Sequence, residues 1–414
     1  MIDFLKNTPE DQIINKHSMY FDFEYLKQLL VKYNELGDCG VFLQGPIDEV
    51  SSIDLSIISS QCQYFDENIV LRKFCLEVTE DCNFRCTYCR NTTAVEYRKH
   101  SKTNMTVETA FKGIDYYFHK YTTLYAELSD EKKDLLLQIA PPTLSWYGGE
   151  PFLNFKLVEK STEYFKSLPW RTYSIKTSHL KFNINTNLSV MNDSILNFLV
   201  DNNVFLSASI DGPKEEHNKC RIFENGEGTF NKAYANLQKI KEFNDTYFKE
   251  QVAIFGVYTD QHDYQKCIDF IRKIGAKYFL YVPAEYTGSY VPNIEKQSEQ
   301  YAQFMEDDLM DFKRNVIIRS KNIDEEIDYF SNVMKFADVN YDNPLGSNSL
   351  LALLSCPMGF DNLMIDVNGN YLICHKTDGS MPIGNCVSGL DFEKIIDLYQ
   401  QYNTATNNPE CKKC

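Results

Sequence analysis

The chain has 414 residues, 43% of them hydrophobic, and a formal net charge of -16. That length allows two domains, or one large barrel with additions. The acidic balance excludes a nucleic-acid partner, which needs clustered lysine and arginine, and is otherwise what a solvated surface provides. The opening stretch, residues 1–12, has no signal-peptide core, and no window approaches a bilayer-spanning apolar run, so a cytoplasmic protein with no membrane partner is expected. Thirteen cysteines there, an odd number, do not suit a disulfide framework, because that compartment keeps thiols reduced.

Residues 1–70 read as a separate α+β segment. An amphipathic helix over 20–37 closes at Gly37, and residues 40–58 carry short strands and turns. From about residue 71 to 290 strand-like runs alternate with helical ones. The strand candidates are KFCLEVT (73–79), TLSWYG (143–148), LKFNINTN (180–187), VFLSASID (204–211), VAIFGVYT (252–259) and KYFLYVPA (277–284). Helical spacing is visible over 154–168, 191–203, 230–243 and 262–275. Strands alternating with helices imply a parallel sheet, and such sheets bind ligands at the carboxyl ends of their strands. Residues 291–350 are acidic and helical in pattern, with Phe304, Met305, Leu309 and Phe312 as a packing stripe. From residue 351 the texture turns to glycine, asparagine and cysteine.

The chemistry-bearing residues gather behind those strands. Cys82, Cys86 and Cys89 follow the first, GGEP (148–151) the second, NTN (185–187) ends the third, and SIDGP (209–213) ends the fourth. Three cysteines in one loop suit a metal. Structural zinc wants four ligands, and the nearest histidine is His100. A four-iron cluster on three thiolates leaves one iron open to a ligand.

The C-x-x-x-C-x-x-C loop, Tyr88 before its third cysteine and the GGEP run together resemble the radical S-adenosylmethionine (SAM) enzymes, over residues 71–284. The resemblance implies a partial (β/α)6 TIM-like barrel with a SAM-binding [4Fe-4S] cluster on Cys82, Cys86 and Cys89. It also implies SAM contacts at Tyr88, Gly148, Gly149, Glu150, Pro151, Asn185, Asn187, Ser209, Asp211 and Arg221. Glycines let backbone approach the methionine end, Glu150 suits the ammonium group, Pro151 fixes the turn, and Arg221 suits the carboxylate. The asparagines suit the ribose hydroxyls and Tyr88 the adenine; turn chemistry alone is the rival account of the glycines and asparagines.

Cys356, Gly369 and Cys374, spaced by twelve and four residues, resemble the opening of a SPASM domain, with Cys411 and Cys414 as its next pair. The family pattern continues past that pair with further cysteines. One or two auxiliary [4Fe-4S] clusters are therefore implied, with Cys386 either a replacement ligand or a packed thiol. A zinc ribbon is the rival for this tail. Cys62, Cys75, Cys220 and Cys267 read as packed thiols.

The quoted runs look like the branch that matures ribosomally made peptides. The resemblance implies cleavage of SAM, hydrogen abstraction from a precursor peptide with leader and core, and thioether formation. A reductant such as flavodoxin or ferredoxin would supply the electron. Residues 1–70 would bind the leader by adding a strand, or simply cap the barrel. Anaerobic sulfatase maturation to formylglycine is the alternative activity, and a passive iron–sulfur electron carrier or peptide-binding module the alternative of another class. Glu285, after the sixth strand, is the one positional candidate for an acid or base.

Overall fold

The structure, a computed structural model, describes residues 66, 70–89, 100–276, 278–284, 293, 296, 299, 362–373 and 381–398. All of these lie in one of the chain's two compact units, formed by residues 62–341 and 356–400.

Six strands lie side by side in sequence order: β1 (Lys73–Thr79), β2 (Thr143–Gly148), β3 (Lys181–Thr186), β4 (Phe205–Ser209), β5 (Val252–Tyr258) and β6 (Tyr278–Pro283). Every neighbouring pair among them is parallel. The connections carry helices α1 (Val107–Glu127), α2 (Asp130–Ile139), α3 (Phe155–Ser167), α4 (Asp193–Asp201), α5 (Lys214–Cys220), α6 (Phe230–Phe243), α7 (Asp245–Gln251) and α8 (Tyr264–Ile274). This is the α/β alternation of a partial barrel. The strands fall within a residue of the expected runs, except β4, which ends two residues early; β-branched and aromatic residues bounded by turn formers leave few other choices.

Each strand presents alternate residues to opposite faces. On one face Phe74 stacks on Tyr117 of α1 at 5.6 Å, and Trp146 stacks on Phe182 at 5.7 Å while meeting Phe198 of α4. The indole of Trp146 donates to Ser161 of α3 at 2.9 Å, so even its one polar atom is satisfied inside the core. The other face is half-buried and polar. Asn183 and Asn185 on β3, with Ser207 and Ser209 on β4, all lie on it, Asn185 opposite Ser207.

Two strands beyond the expected six complete the sheet. β7 (Asn362–Ile365) pairs parallel with β1, and β8 (Tyr371–Leu372) returns antiparallel on β7. Residues 362–372, expected within the cysteine-rich extension, thus hydrogen-bond directly to the barrel. Leu363, Met364 and Ile365 are fully buried there, and Tyr371 meets Tyr116 of α1 at 4.9 Å. A short separate ribbon of β9 (Gly384–Asn385) and β10 (Gly389–Leu390) follows. No helix among the described residues is long and apolar enough to cross a membrane.

Candidate functional site at the carboxyl ends of the strands

The loop after β1 carries the three cysteines and is held by backbone on both sides. Arg85 N–H donates to the Ile222 carbonyl at 2.7 Å and Thr87 N–H to the Cys220 carbonyl at 3.0 Å, so the loop lies along residues 220–223 as a strand edge would. Phe84 meets Phe223 edge-on at 5.2 Å beneath it. Cys82 and Cys86 are 9% and 8% exposed and Cys89 is half-buried, enclosed by Phe84, Tyr88 and Phe223. Burial pushes the Cys82 thiol up to about 12, with Glu150 and Cys89 adding to the rise. Burial also raises Cys86, opposed most strongly by the charge of Arg221. The three thiols are close enough to raise one another, yet no three His, Cys, Asp or Glu side chains among the described residues are set to hold a single metal ion. Three neighbouring thiols in one loop are the donor set of an iron–sulfur cluster, which takes its thiolates on separate irons.

The GGEP run is tied to that loop. Gly149 N–H donates to the Thr79 carbonyl at 2.9 Å and Glu150 N–H to the Asp81 carbonyl at 2.8 Å. A Cβ on Gly148, whose φ is +135°, would lie 2.1 Å from the Thr79 oxygen, and one on Gly149 2.1 Å from the Asp81 oxygen. Both positions therefore need glycine for close approach of the cysteine loop itself. Pro151 opens the 3-10 turn Pro151–Asn154. The Glu150 carboxylate is fully buried and accepts from Phe152 N–H at 3.1 Å, Thr186 Oγ1 at 2.8 Å and Asn187 N–H at 2.7 Å. Burial raises its pKa to about 7, against those hydrogen bonds. It joins the end of β2 to the end of β3.

Asn187 points its amide at the cysteine loop. Its Nδ2 donates to Cys82 Sγ at 3.6 Å and to Asn83 Oδ1 at 3.1 Å, while its Oδ1 accepts from Ser189 N–H at 2.8 Å. Cys82 Sγ accepts a second bond from Phe84 N–H at 3.4 Å. Asn185, by contrast, is half-buried on the polar face and its side chain makes no hydrogen bond among the described residues; the same holds for Ser209.

Asp211 and Arg221 form the charged centre. Arg221 Nε lies 2.9 Å from Asp211 Oδ2, and the Tyr88 hydroxyl donates to the same oxygen at 2.6 Å. Val257 N–H donates to Oδ1 at 2.9 Å. The guanidinium sits 5.6 Å from the Tyr88 ring centroid. Burial alone would raise the Asp211 carboxyl; Arg221, His217 and Tyr88 reverse that and hold it below the usual carboxylate range. The terminal nitrogens of Arg221 make no hydrogen bond among the described residues, which leaves a two-pronged donor directed by Asp211.

His217 and Thr229 complete this centre and were not expected. Asp211 N–H donates to His217 Nδ1 at 3.3 Å, so the neutral ring carries its proton on Nε2 and donates to Thr229 Oγ1 at 3.0 Å. The Thr229 hydroxyl then donates to the Arg221 carbonyl at 2.8 Å. This relay joins the backbones of the two ion-pair partners. A lone histidine in a charged helical stretch reads as solvated; its place four residues before Arg221 was the available signal.

Of the other candidates, Cys386 is half-buried beside Gly369, where an added Cβ would lie 2.8 Å from its Sγ. Cys220 and Cys267 are buried, the latter fully, and Cys75 lies half-buried on β1. Glu285, Cys62, Cys356, Cys374, Cys411, Cys414, residues 1–58 and the stripe Phe304–Phe312 lie outside the described residues.

A partial α/β barrel with three thiols behind its first strand defines a class of metal-cluster proteins. Residues 76–271 match the Radical SAM superfamily, so the chain carries a radical SAM domain. Among curated proteins, the cysteine-type anaerobic sulfatase-maturating enzyme of Clostridium novyi is 25% identical over 142 residues, covering 34% of this chain and 36% of that one. An uncharacterized protein of Methanocaldococcus jannaschii is 26% identical over 174 residues, covering 42% and 50%. The chain thus spans half or less of the length of these curated relatives. Among solved structures, native anSMEcpe with bound AdoMet aligns over 83% of this chain and 86% of that one at 18% identity, with a TM-score of 0.52. The same protein with AdoMet and the Cp18Cys peptide aligns at 20% identity and the same TM-score, covering 83% and 85%.

Proposed function

We propose that this protein is a radical SAM enzyme that removes a hydrogen atom from a residue of a peptide and closes a thioether onto the resulting carbon. The observation that carries the catalytic part is the clamp of the cysteine loop onto the Asp211–Arg221 pair, which sets a directed cation beside two buried thiols and a half-buried one. Cys82, Cys86 and Cys89 would hold the [4Fe-4S] cluster, and the open iron would take SAM. When bound, the reduced cluster supplies the electron that splits SAM into methionine and a 5'-deoxyadenosyl radical.

The chain's own residues then orient and enclose. Arg221, aimed by Asp211 and Tyr88, would bind the SAM carboxylate through its terminal nitrogens. Asn185 and Ser209, on the polar face of adjacent strands, would take the ribose hydroxyls. Glu150, its carboxylate already accepting three internal donors, acts as the tie between β2 and β3. Phe84, Phe223 and the ring of Tyr88 keep water from the thiols. One or two auxiliary clusters on Cys356, Cys374, Cys411 and Cys414, a precursor peptide and an external reductant belong to the same reading.

Formylglycine formation is the second reading, favoured by the match to a cysteine-type sulfatase-maturating enzyme. Both readings call for a cysteine in the substrate, and their products differ. Thioether closure removes two hydrogen atoms and keeps the sulfur, whereas formylglycine formation expels sulfide and brings in oxygen from water.

The test is anaerobic incubation of the iron-loaded protein with SAM, dithionite and cysteine-containing peptides, following 5'-deoxyadenosine and peptide mass. Deoxyadenosine release with a sulfur-retaining product supports the proposal. A sulfur-free aldehyde supports the second reading. No deoxyadenosine from protein with a full iron and sulfide load overturns both and leaves an electron carrier.

A further inference from the structure

We infer that Asn187 sets the reduction potential of the cluster by donating a side-chain hydrogen bond to the thiolate of Cys82. This rests on the reading that Cys82, Cys86 and Cys89 hold an iron–sulfur cluster, and it goes beyond it by assigning a residue that is not a ligand.

The orientation of the Asn187 amide is fixed by three neighbours. Ser189 N–H can only donate, so the atom 2.8 Å from it is the amide oxygen. The nitrogen therefore faces Cys82 Sγ at 3.6 Å and Asn83 Oδ1 at 3.1 Å, one N–H for each. The backbone around the amide is tied as well. Asn187 N–H donates to Glu150, the Asn236 side chain donates to the Leu188 carbonyl at 2.7 Å, and Leu188 has a φ of +61° that turns the chain back toward the loop. Asn187 itself is 7% exposed, so bulk water does not compete for the sulfur. With both N–H groups engaged, it has no donor left for a ribose hydroxyl, which separates it from Asn185 on the same strand end.

A reduced cluster carries one more negative charge than an oxidised one, and its thiolate sulfurs share that charge. An N–H···S bond is stronger to the more negative sulfur and so favours the reduced state. Cys82 receives two such bonds. That from Phe84 is backbone and common to any side chain there; that from Asn187 is a choice of residue. Asn187 is accordingly a positioning and tuning residue rather than a catalytic one.

The experiment is an EPR-monitored redox titration of the reconstituted full-length protein without SAM, comparing wild type with Asn187→Leu, Asn187→Ala and Ser189→Ala. Leucine keeps most of the volume, excludes water and removes the donor. Alanine removes the donor with less bulk. Ser189→Ala breaks only the hydroxyl's bond to Asn83 and keeps the sulfur bond. The expected result is a lower midpoint potential in both Asn187 variants, at unchanged iron and sulfide content, with Ser189→Ala at the wild-type midpoint. A wild-type midpoint in a loaded Asn187→Leu protein overturns the inference. So does failure of both Asn187 variants to load where wild type loads, because the residue would then serve the shape of the loop. An equal shift in Ser189→Ala would also overturn it, by assigning the effect to Asn83. If wild type itself takes up no cluster, the underlying reading of the three cysteines fails instead.

Discussion

His217 is the residue whose charge state the fold constrains most visibly. Burial lowers its pKa from the ordinary 6.5 to about 3; Arg221 and His262 act in the same direction and Asp211 against it. In the fold the ring is neutral, accepting from Asp211 and donating to Thr229. A histidine depressed in this way contributes stability that is complete above its unfolded pKa of about 6.5 and is lost as pH falls toward its folded pKa. From about pH 7.5 to about pH 5 this one group should cost the protein roughly 2 kcal/mol. Urea titrations at those two pH values should show a steeper loss for wild type than for His217→Gln. Equal losses in the two proteins would mean the ring is not held neutral. His217→Gln should also weaken SAM binding, measured by calorimetry, because the relay to Arg221 is cut, and that change would not follow from lower stability alone. Residues of this kind were hidden in the sequence. The cysteines were legible because their spacing is a ligand pattern, and Glu150 because it sits in GGEP. His217, Thr229 and the sulfur-facing amide of Asn187 depend on which loop folds onto which, and local pattern does not carry that.

Two elements that the sequence separates by roughly sixty residues meet at Gly149, where the turn after β2 presses on the loop after β1. The hydrogen bonds from Gly149 and Glu150 to the carbonyls of Thr79 and Asp81 leave no gap between them. Gly149→Ala would place its Cβ 2.1 Å from the Asp81 oxygen and 2.9 Å from Cys82 Cβ, both on the same short loop. Overpacking of this kind costs about 1–3 kcal/mol, and here the yielding partner is the segment that must hold iron. Iron per chain after anaerobic reconstitution should fall several-fold in Gly149→Ala. Gly226→Ala, in a turn with a φ of +83° and open space around it, should lose about 1–2 kcal/mol but load normally. If the two variants load alike, the tie between the elements does not shape the cluster site. The strands themselves were readable to within two residues. Helices α1 and α2 between β1 and β2, and the strand β7 beside β1, were not. β7 is four residues long, and its burial is set by a partner at the other end of the chain.

At the scale of the whole molecule the question is whether the cluster organises the rim or the rim is organised before the cluster arrives. The ties argue for the second. Backbone bonds tie Thr79 and Asp81, where the cysteine loop begins, to Gly149 and Glu150 after β2. Others tie Thr87 and Arg85 of the loop to Cys220 at the end of α5 and Ile222 beyond it. Asp211 is anchored on β5 through Val257, and its carbonyl accepts from Tyr281 of β6 at 3.0 Å. None of these bonds uses a thiol. Beneath them lies an apolar core of Phe74, Trp146, Phe165, Leu206 and Ile254, each at most 1% exposed. Most of the free energy of folding comes from such burial, so the barrel should form with the rim in place before iron binds. A protein with Cys82, Cys86 and Cys89 all changed to alanine should bind no iron, yet keep its far-UV circular dichroism and a cooperative melt. Its midpoint should lie within about 5 °C of metal-free wild type. The Asp211–Arg221 pair should survive in that variant as well, since its partners are protein groups. It would then keep weak SAM affinity that Arg221→Ala abolishes. A triple variant that melts broadly or loses its secondary structure would reverse the order of assembly, making the cluster a folding ligand.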